Sequence, residues 1–542
     1  MAQEDSGRGL SRRSFVKLAA AVAGAALPLG WQQALAEEGV LKIVHLTLNP
    51  DWSPLRGGGS HYNWQSLIWA SPMYFDPEGN IHPYLFTSWQ PNEDWTVWTF
   101  DIHPDAVFSD GTPITAAHVK GSWELNARPS TRNQRIDLVL SSVAGFSDVH
   151  TGGARELSGV RIVNDKQIEV TLEGPDPIFD LKIANQLAPI VKVEDVVDEN
   201  GDAKEEWWQP ANGLVVSGPF RPTLVDMTTG QVEYEPNPLF FGPAPALTRV
   251  ELMPIEDTVV AVAALQKGEF DAHTELRVPN LIEQLGEEFA SGPEIPKGQH
   301  FWLSTRTAPT DDPKVREALI LAIDREGLKT VTIGDGPSKK AEQVLNAVSG
   351  VDPDFEPYPF DPERARQLLA ESSYGAPENL PSLMMVGISA PEFEAAAQYI
   401  AEQWRQNLGI DSVQMKPQID AYSGPDQGNV QIFRDDVATR VPDAVVYLMA
   451  SIHSQSSNAQ NKMGGYRNEK VDALLEEASM LPPSDPRRDE LAREAQRLFR
   501  NDYVFIPWYH EVVPKSAMPR VHNFGRSLDL NVSEPWKITV GG

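Results

Sequence analysis

Between Trp95 and Ile102 the chain alternates, with Trp95, Val97, Thr99 and Asp101 on one side and Thr96, Trp98, Phe100 and Ile102 on the other. A period of two, rich in aromatic and β-branched residues, predicts a strand with one apolar face. The polar turn Asn92-Glu93-Asp94 before it and Pro104-Asp105 after it predict pairing with sequence neighbours, as a hairpin or meander. Next, Asp110-Gly111 predicts a tight turn, and Thr115 is placed to cap a helix from Ala116. Residues 40 to 48 (VLKIVHLTL) predict the first strand of a core sheet, and Gln167 to Leu172 alternates as another strand.

Further on, the period lengthens. Thr258 to Lys267 has helical spacing and stops at Gly268. Asp312-Pro313, Asp361-Pro362 and Asp485-Pro486 each offer an N-cap acceptor followed by the one residue that needs no intrahelical N–H partner. After the first of these, Val315, Ala318, Leu319, Ala322 and Ile323 recur on one helix face. Another helix runs from about Glu392 to Leu408 and ends at Gly409. Phe301 to Thr305 and Ser382 to Ile388 predict strands among these helices, so this half reads as alternating β and α, an α/β arrangement.

At 542 residues the chain exceeds one core, and two or three domains are expected. Ser11-Arg12-Arg13-Ser14-Phe15-Val16-Lys17, an Ala-rich stretch to Leu29, and Ala34-Leu35-Ala36 read in order as a twin-arginine signal peptide, cleaved near Ala36. The chain has no cysteine, hence no lipid-attachment thiol, disulfide, thiolate nucleophile or iron–sulfur site. The expected product is a free periplasmic protein. The net charge of −30 deepens after cleavage, because residues 1 to 36 hold four basic and two acidic residues. Such a surface repels nucleic acid and anionic lipid. No nucleophile elbow, zinc-protease helix, phosphate loop or dinucleotide fingerprint is present, and the histidines form no local metal motif. No enzyme activity and no cofactor are expected.

Pro83 to Lys120 (PYLFTSWQPNEDWTVWTFDIHPDAVFSDGTPITAAHVK) resembles the signature of family 5 extracellular solute-binding proteins, the oligopeptide, dipeptide and nickel binders of ABC importers. The family pattern is P-x-L-A-x-S-W, an aromatic strand, then F-S-D-G-T-P-x-T-A-x-D-V, with His118 standing here where the family has Asp. Ser217-Gly218-Pro219-Phe220, Tyr234 to Gly242, Leu265 to Asp271, Asp312 to Arg325 and Tyr466 to Leu475 resemble later family blocks. The resemblance implies an α/β periplasmic-binding-protein type II fold: two lobes with a hinge, plus an extra N-terminal mostly-β subdomain. It implies these spans: 1–36 signal, 37–77 lobe I, 78–191 extra subdomain, 192–298 lobe I again, 299–512 lobe II, and 513–542 returning to lobe I. It implies a small-molecule or peptide ligand between the lobes, delivered to ABC permease membrane subunits, with the twin-arginine translocase as export partner. A nickel or metal-chelate binder of the same fold is the alternative, and an exported hydrolase or cofactor enzyme a more distant one.

In relatives the segment after the first strand faces the interlobe cleft, so Trp52, Tyr62 and Trp64 are candidate ligand contacts, or else plugs of the core. Arg434 to Tyr447 (RDDVATRVPDAVVY) departs from the W-x-A-D-Y-x-D-P of peptide-binding relatives, whose first Asp holds the peptide ammonium group. Ungapped, Arg440 falls on that Asp and Asp443 on the second. A cation there reverses the electrostatics and suits a carboxylate, phosphate or other acceptor-rich group, unless Arg440 faces solvent or pairs with Asp435 or Asp436. Arg306, after the Phe301 strand, reaches the cleft or clamps Asp311 or Asp312. Trp302 and Tyr447 are candidates to wall the pocket. Arg316 and the Asp324-Arg325 pair read as structural ion pairs.

Overall fold

The computed structural model describes residues 39–541 apart from 46–52, 54, 56–64, 77–78, 134, 185–186, 188, 211–212, 274–284, 286–293, 335–337, 347, 388–390, 418–428, 439–440, 513–516 and 527–531. The signal peptide, the end of the first apolar run, Trp52, Tyr62, Trp64 and Arg440 therefore lie outside the described residues. No helix among the described residues is long and apolar enough to cross a membrane.

β1 (Val40–His45) is followed by a subdomain built on four antiparallel strands: β2 (Phe86–Pro91), β3 (Val97–Ile102), β4 (Val160–Asn164) and β5 (Gln167–Thr171), in the order β2-β3-β5-β4. The alternation in β3 does what it predicts. Trp98, Phe100 and Ile102 are buried while Val97, Thr99 and Asp101 are half-buried. The turn before β3 is closed by Asn92, whose Oδ1 accepts from the backbone N–H groups of Thr96 and Val97. Helix α1 (Ala116–Ala127) packs on this sheet. At its N-terminus the Thr115 N–H donates to His118 Nδ1 at 3.0 Å, so the histidine performs the reciprocal capping role of an acid. Lys166 donates its ammonium protons to the carbonyls of His103, Ala106 and Ile114, tying the turn after β3 to the β4–β5 hairpin.

The chain then returns to β1 through β6 (Phe220–Val225), β7 (Val232–Pro236), β8 (Arg249–Pro254), helix α2 (Thr258–Gln266) and β9 (Ala272–His273), giving a sheet of order β9-β1-β8-β7-β6. β1 is parallel to β8 and β9. The last residues of the chain close this part. Ala517 bridges Ala272, the Met518 N–H donates to Asp271 O at 2.6 Å, and Arg520 Nε donates to the buried Asp271 carboxylate at 2.6 Å. Trp536 packs among Tyr74, Tyr84 and Phe240 of the subdomain core, and Ile538 and Val540 join the core beneath β1.

The second α/β part begins with β10 (Glu294–Leu303) and continues through α3 (Pro313–Leu321), α4 (Arg325–Ile333), β11 (Lys339–Lys340), α5 (Pro362–Glu371), β12 (Leu383–Gly387), α6 (Pro391–Leu408), β13 (Val413–Pro417), β14 (Ile432–Ala438), α7 (Ala444–Ser451), α8 (Glu469–Ser479), α9 (Pro486–Arg500) and β15 (Phe505–Val512). Its sheet has the order β11-β15-β10-β14-β12-β13, with β10 antiparallel to both neighbours. Each Asp-Pro pair caps as expected: Asp312, Asp361 and Asp485 accept from the N–H groups of Lys314, Arg364 and Arg487. Val315, Ala318, Leu319, Ala322 and Ile323 are all buried. Burying one leucine- or valine-sized side chain of this set is worth about 1.5–3 kcal/mol. β10 starts seven residues before Phe301. Pro296 and Gly298 weaken its sequence pattern, yet pairing with β14 and β15 on both sides holds it extended.

Arg316 and Arg325 are structural, though only one forms an ion pair. Arg325 pairs with Glu342 at 2.5 Å and also donates to Tyr358 O, whereas Arg316 donates to the carbonyls of Thr310, Asp311 and Asp502.

Candidate functional site

In open α/β sheets, ligands gather beyond the carboxyl ends of the strands. In the first sheet those ends are His45, Pro254 and His273, and from His273 the chain crosses to the second sheet. There it meets the amino end of β10, which lies beside the carboxyl ends of β14 and β15 because β10 is antiparallel to both. The return crossing, after Val512, comes back to Ala517 next to Ala272. Both crossings thus join the two carboxyl edges, and the site belongs there.

One face of β10, β14 and β15 carries a polar cluster that extends from this edge, at Lys297 and Glu511, inward to Arg434 in the amino-terminal half of β14. Arg434 is only 6% exposed and Gln299 only 2%. The guanidinium donates through Nη2 to Gln299 Oε1 at 2.5 Å, and Gln299 Nε2 donates to Glu511 Oε2 at 3.1 Å. Lys297 Nζ lies 2.9 Å from Glu511 and 3.4 Å from Asp436. Among the described residues, the nearest carboxylate to Arg434 is Asp436, at 3.9 Å, and the buried Nε of Arg434 has no partner. The Asp436 side chain is 39% exposed, so the cluster reaches solvent at that point. A buried cation with unsatisfied donors is costly unless an acceptor arrives. Such a cluster can bind an anionic or carbonyl-rich group.

The opposite face of the same strands is dry. His300 is fully buried between Trp302 and Phe505, and burial, with His510 nearby, pushes it down to about 3. It is therefore neutral. Gly298 leaves room for it, since a Cβ there would collide with the imidazole. Asp435 pairs with Lys462 on this side, and burial still raises its carboxyl above the usual range.

A family model for the bacterial extracellular solute-binding proteins, family 5 Middle, matches residues 80–459. The chain belongs to this family. Family 5 proteins capture solutes for ABC importers and are binding proteins rather than enzymes. Among relatives, the chain is similar to the periplasmic oligopeptide-binding protein OppA of Salmonella typhimurium, 26% identical over 83% of this chain and 82% of the relative. It is also similar to the periplasmic murein peptide-binding protein MppA of Escherichia coli, 25% identical over 74% of each chain. The solved structure of the E. coli murein tripeptide binding protein MppA superposes with a TM-score of 0.76, at 22% identity, covering 94% of this chain and 99% of that one. The α/β periplasmic-binding-protein fold is shared.

Within this family 5 fold, four of the expected contacts do other work. Trp302 is fully buried against Phe499 and Phe505, so its ring fills the lobe II core. Tyr447, also fully buried, donates its hydroxyl proton to Val437 O at 2.8 Å and accepts from the Gly298 N–H at 3.1 Å. Asp443 caps α7 by accepting from the Val446 N–H and forms a two-bond pair with Arg488, at 2.7 and 3.0 Å. Arg306 follows the carboxyl end of β10, the edge remote from the crossings, and lies exposed over the Gly464-Gly465 turn. None of the four offers a ligand-facing group at the carboxyl edge. Trp52, Tyr62, Trp64 and Arg440 follow the carboxyl ends of β1 and β14 in sequence. Arg434, Gln299, Lys297 and Glu511, which form the cluster, carry no motif in the sequence. The available signal was Arg434 and Asp436 at i and i+2, charges on one side of a strand whose other side holds Phe433 and Val437.

Proposed function

We propose that this protein captures a short peptide, or a related polar solute presenting an acceptor-rich group, between its two lobes in the periplasm and delivers it to an ABC permease. The observation that carries the ligand class is Arg434: a buried guanidinium that belongs to a polar cluster reaching the carboxyl edge, with no carboxylate of the described residues closer than 3.9 Å. The relatives' names, oligopeptide-binding and murein peptide-binding protein, agree with it. Capture proceeds by hinge closure, which desolvates the ligand and strengthens its charged hydrogen bonds. In this reading Arg440, in the segment after β14, is a candidate second cation, and Trp52, Tyr62 and Trp64, in the segment after β1, are candidate contacts. Export follows the twin-arginine route with cleavage near Ala36, and the working chain begins near Glu37.

Native mass spectrometry of the mature protein, purified without chelators and followed by denaturing extraction, tests this reading. One peptide or organic acid per chain is the expected result. A stoichiometric metal ion or metal chelate, or a ligand lacking any acceptor-rich group, overturns it.

A further inference from the structure

Of the four arginines buried among the described residues, Arg325 and Arg488 are matched by a carboxylate and Arg316 by the carbonyls of Thr310, Asp311 and Asp502; half-buried Arg520 also has a carboxylate. Arg488 has Asp443, Arg325 has Glu342, and Arg520 has Asp271. Arg434 has Asp436 at 3.9 Å, beyond hydrogen-bond reach, and its hydrogen bond goes instead to the neutral amide of Gln299. The orientation of that amide is fixed from both ends. Its oxygen faces the guanidinium, a group with only donors, and its nitrogen faces Glu511, which only accepts. Glutamine and glutamate have the same shape, so the choice between them at this point decides charge alone. The two carboxylates nearby, Glu511 and Asp436, are both drawn to Lys297. Arg434 is thereby oriented by a neutral partner and keeps its charge for an incoming group.

We propose that Gln299 is the residue that sets the charge of the ligand: it positions Arg434 without neutralising it, so the site selects a carboxylate over the corresponding carboxamide. This rests on the reading of the cluster as ligand-facing. A glutamate at 299 would occupy Arg434 itself, with the geometry that Asp443 uses on Arg488.

The test is calorimetric titration of the mature protein with trialanine and with trialanine amide. The wild-type protein should prefer the carboxylate by roughly tenfold or more, the equivalent of about 1.4 kcal/mol. Q299E should bring the ratio to about one, because an internal carboxylate replaces the one on the ligand. Since Q299E sets a carboxylate beside Glu511, the double variant Gln299→Glu/Glu511→Gln keeps the total charge and the amide-to-carboxylate hydrogen bond while moving the charge next to Arg434. It should also lose the preference, with thermal unfolding confirming that it folds. Gln299→Leu, which removes the hydrogen bonds without adding charge, should weaken both probes and keep the ratio above one. A merely structural role for Gln299 would change affinities and leave all the ratios alike, and that result overturns the proposal. Equal affinity of the wild type for both probes overturns it while leaving peptide capture intact; binding of neither overturns both.

Discussion

Two arginines buried in lobe II are provided for in opposite ways. Arg488, 2% exposed, has every side of its guanidinium met: two bonds to Asp443 and one each to the carbonyls of Ala478 and Leu481. It locks the start of α7 to the turn between α8 and α9. Arg434, nearly as buried, makes one hydrogen bond to a neutral amide and one long 3.9 Å contact with Asp436, and leaves its Nε unmatched. The difference separates a charge that holds the fold from one that the fold holds ready. Burial by itself does not tell the two apart; the accounting of partners does.

Removing a partner from the satisfied arginine should produce the largest effect. Asp443→Ala leaves the Arg488 charge buried without its anion and removes the α7 cap, and should lower the unfolding free energy by about 3–5 kcal/mol, read from urea denaturation. A loss below 1 kcal/mol would mean that the pair contributes nothing net. At the unmatched arginine the effect moves from stability to binding. Arg434→Met should leave the urea midpoint unchanged or raise it, because an apolar chain replaces a buried charge whose only ion pair is the long 3.9 Å contact with Asp436, while affinity for a carboxylate ligand drops by about 2–5 kcal/mol. Destabilisation without loss of affinity would reverse the assignment.

The smallest effect belongs to the residue next to Gln299 on the other face. His300 titrates at about 3 in the folded protein and near 6.5 in an unfolded chain. Above pH 6.5 both forms are neutral and the stability is complete. As the pH falls from 6.5 toward 3, the unfolded chain binds a proton that the folded one refuses. Stability then drops by about 1.4 kcal/mol per pH unit, or about 2 kcal/mol at pH 5. His300→Phe should flatten the profile between pH 6.5 and 4.5. Coincident slopes for the two proteins would show that the imidazole is not held neutral.

The same contrast explains what the sequence reveals. The scaffold is legible because its signals are local: an Asp-Pro pair caps its own helix, and the alternation at Trp98, Phe100 and Ile102 orients its own strand. β10 is legible only from Phe301 onward, because its first seven residues are made extended by partners at 432–438 and 505–512, far away in the chain. The family motif leads to Asp443 and Tyr447, which are important for a different reason, since they secure α7 and the start of β10. Arg434 stands in the run Arg434-Asp435-Asp436, which reads as a solvated charge cluster. Only the strand's alternation splits it, sending Asp435 to Lys462 on one face and Arg434 with Asp436 to the other. Which of three adjacent charges lacks a partner depends on Gln299, Lys297 and Glu511, and no spacing along the chain encodes that.

The contacts of the C-terminal segment bear on the order in which the protein is made. Asp271 is buried and answered by Arg520, and the edge strand Ala272–His273 is bridged by Ala517. A ribosome that has synthesised the first 300 residues has therefore produced lobe I without the pieces that complete its edge. Lobe II can finish folding while synthesis continues, but lobe I waits for the last codons. A chain that stops before Ala517 leaves the buried Asp271 carboxylate without its Arg520 cation and the Ala272–His273 edge unbridged.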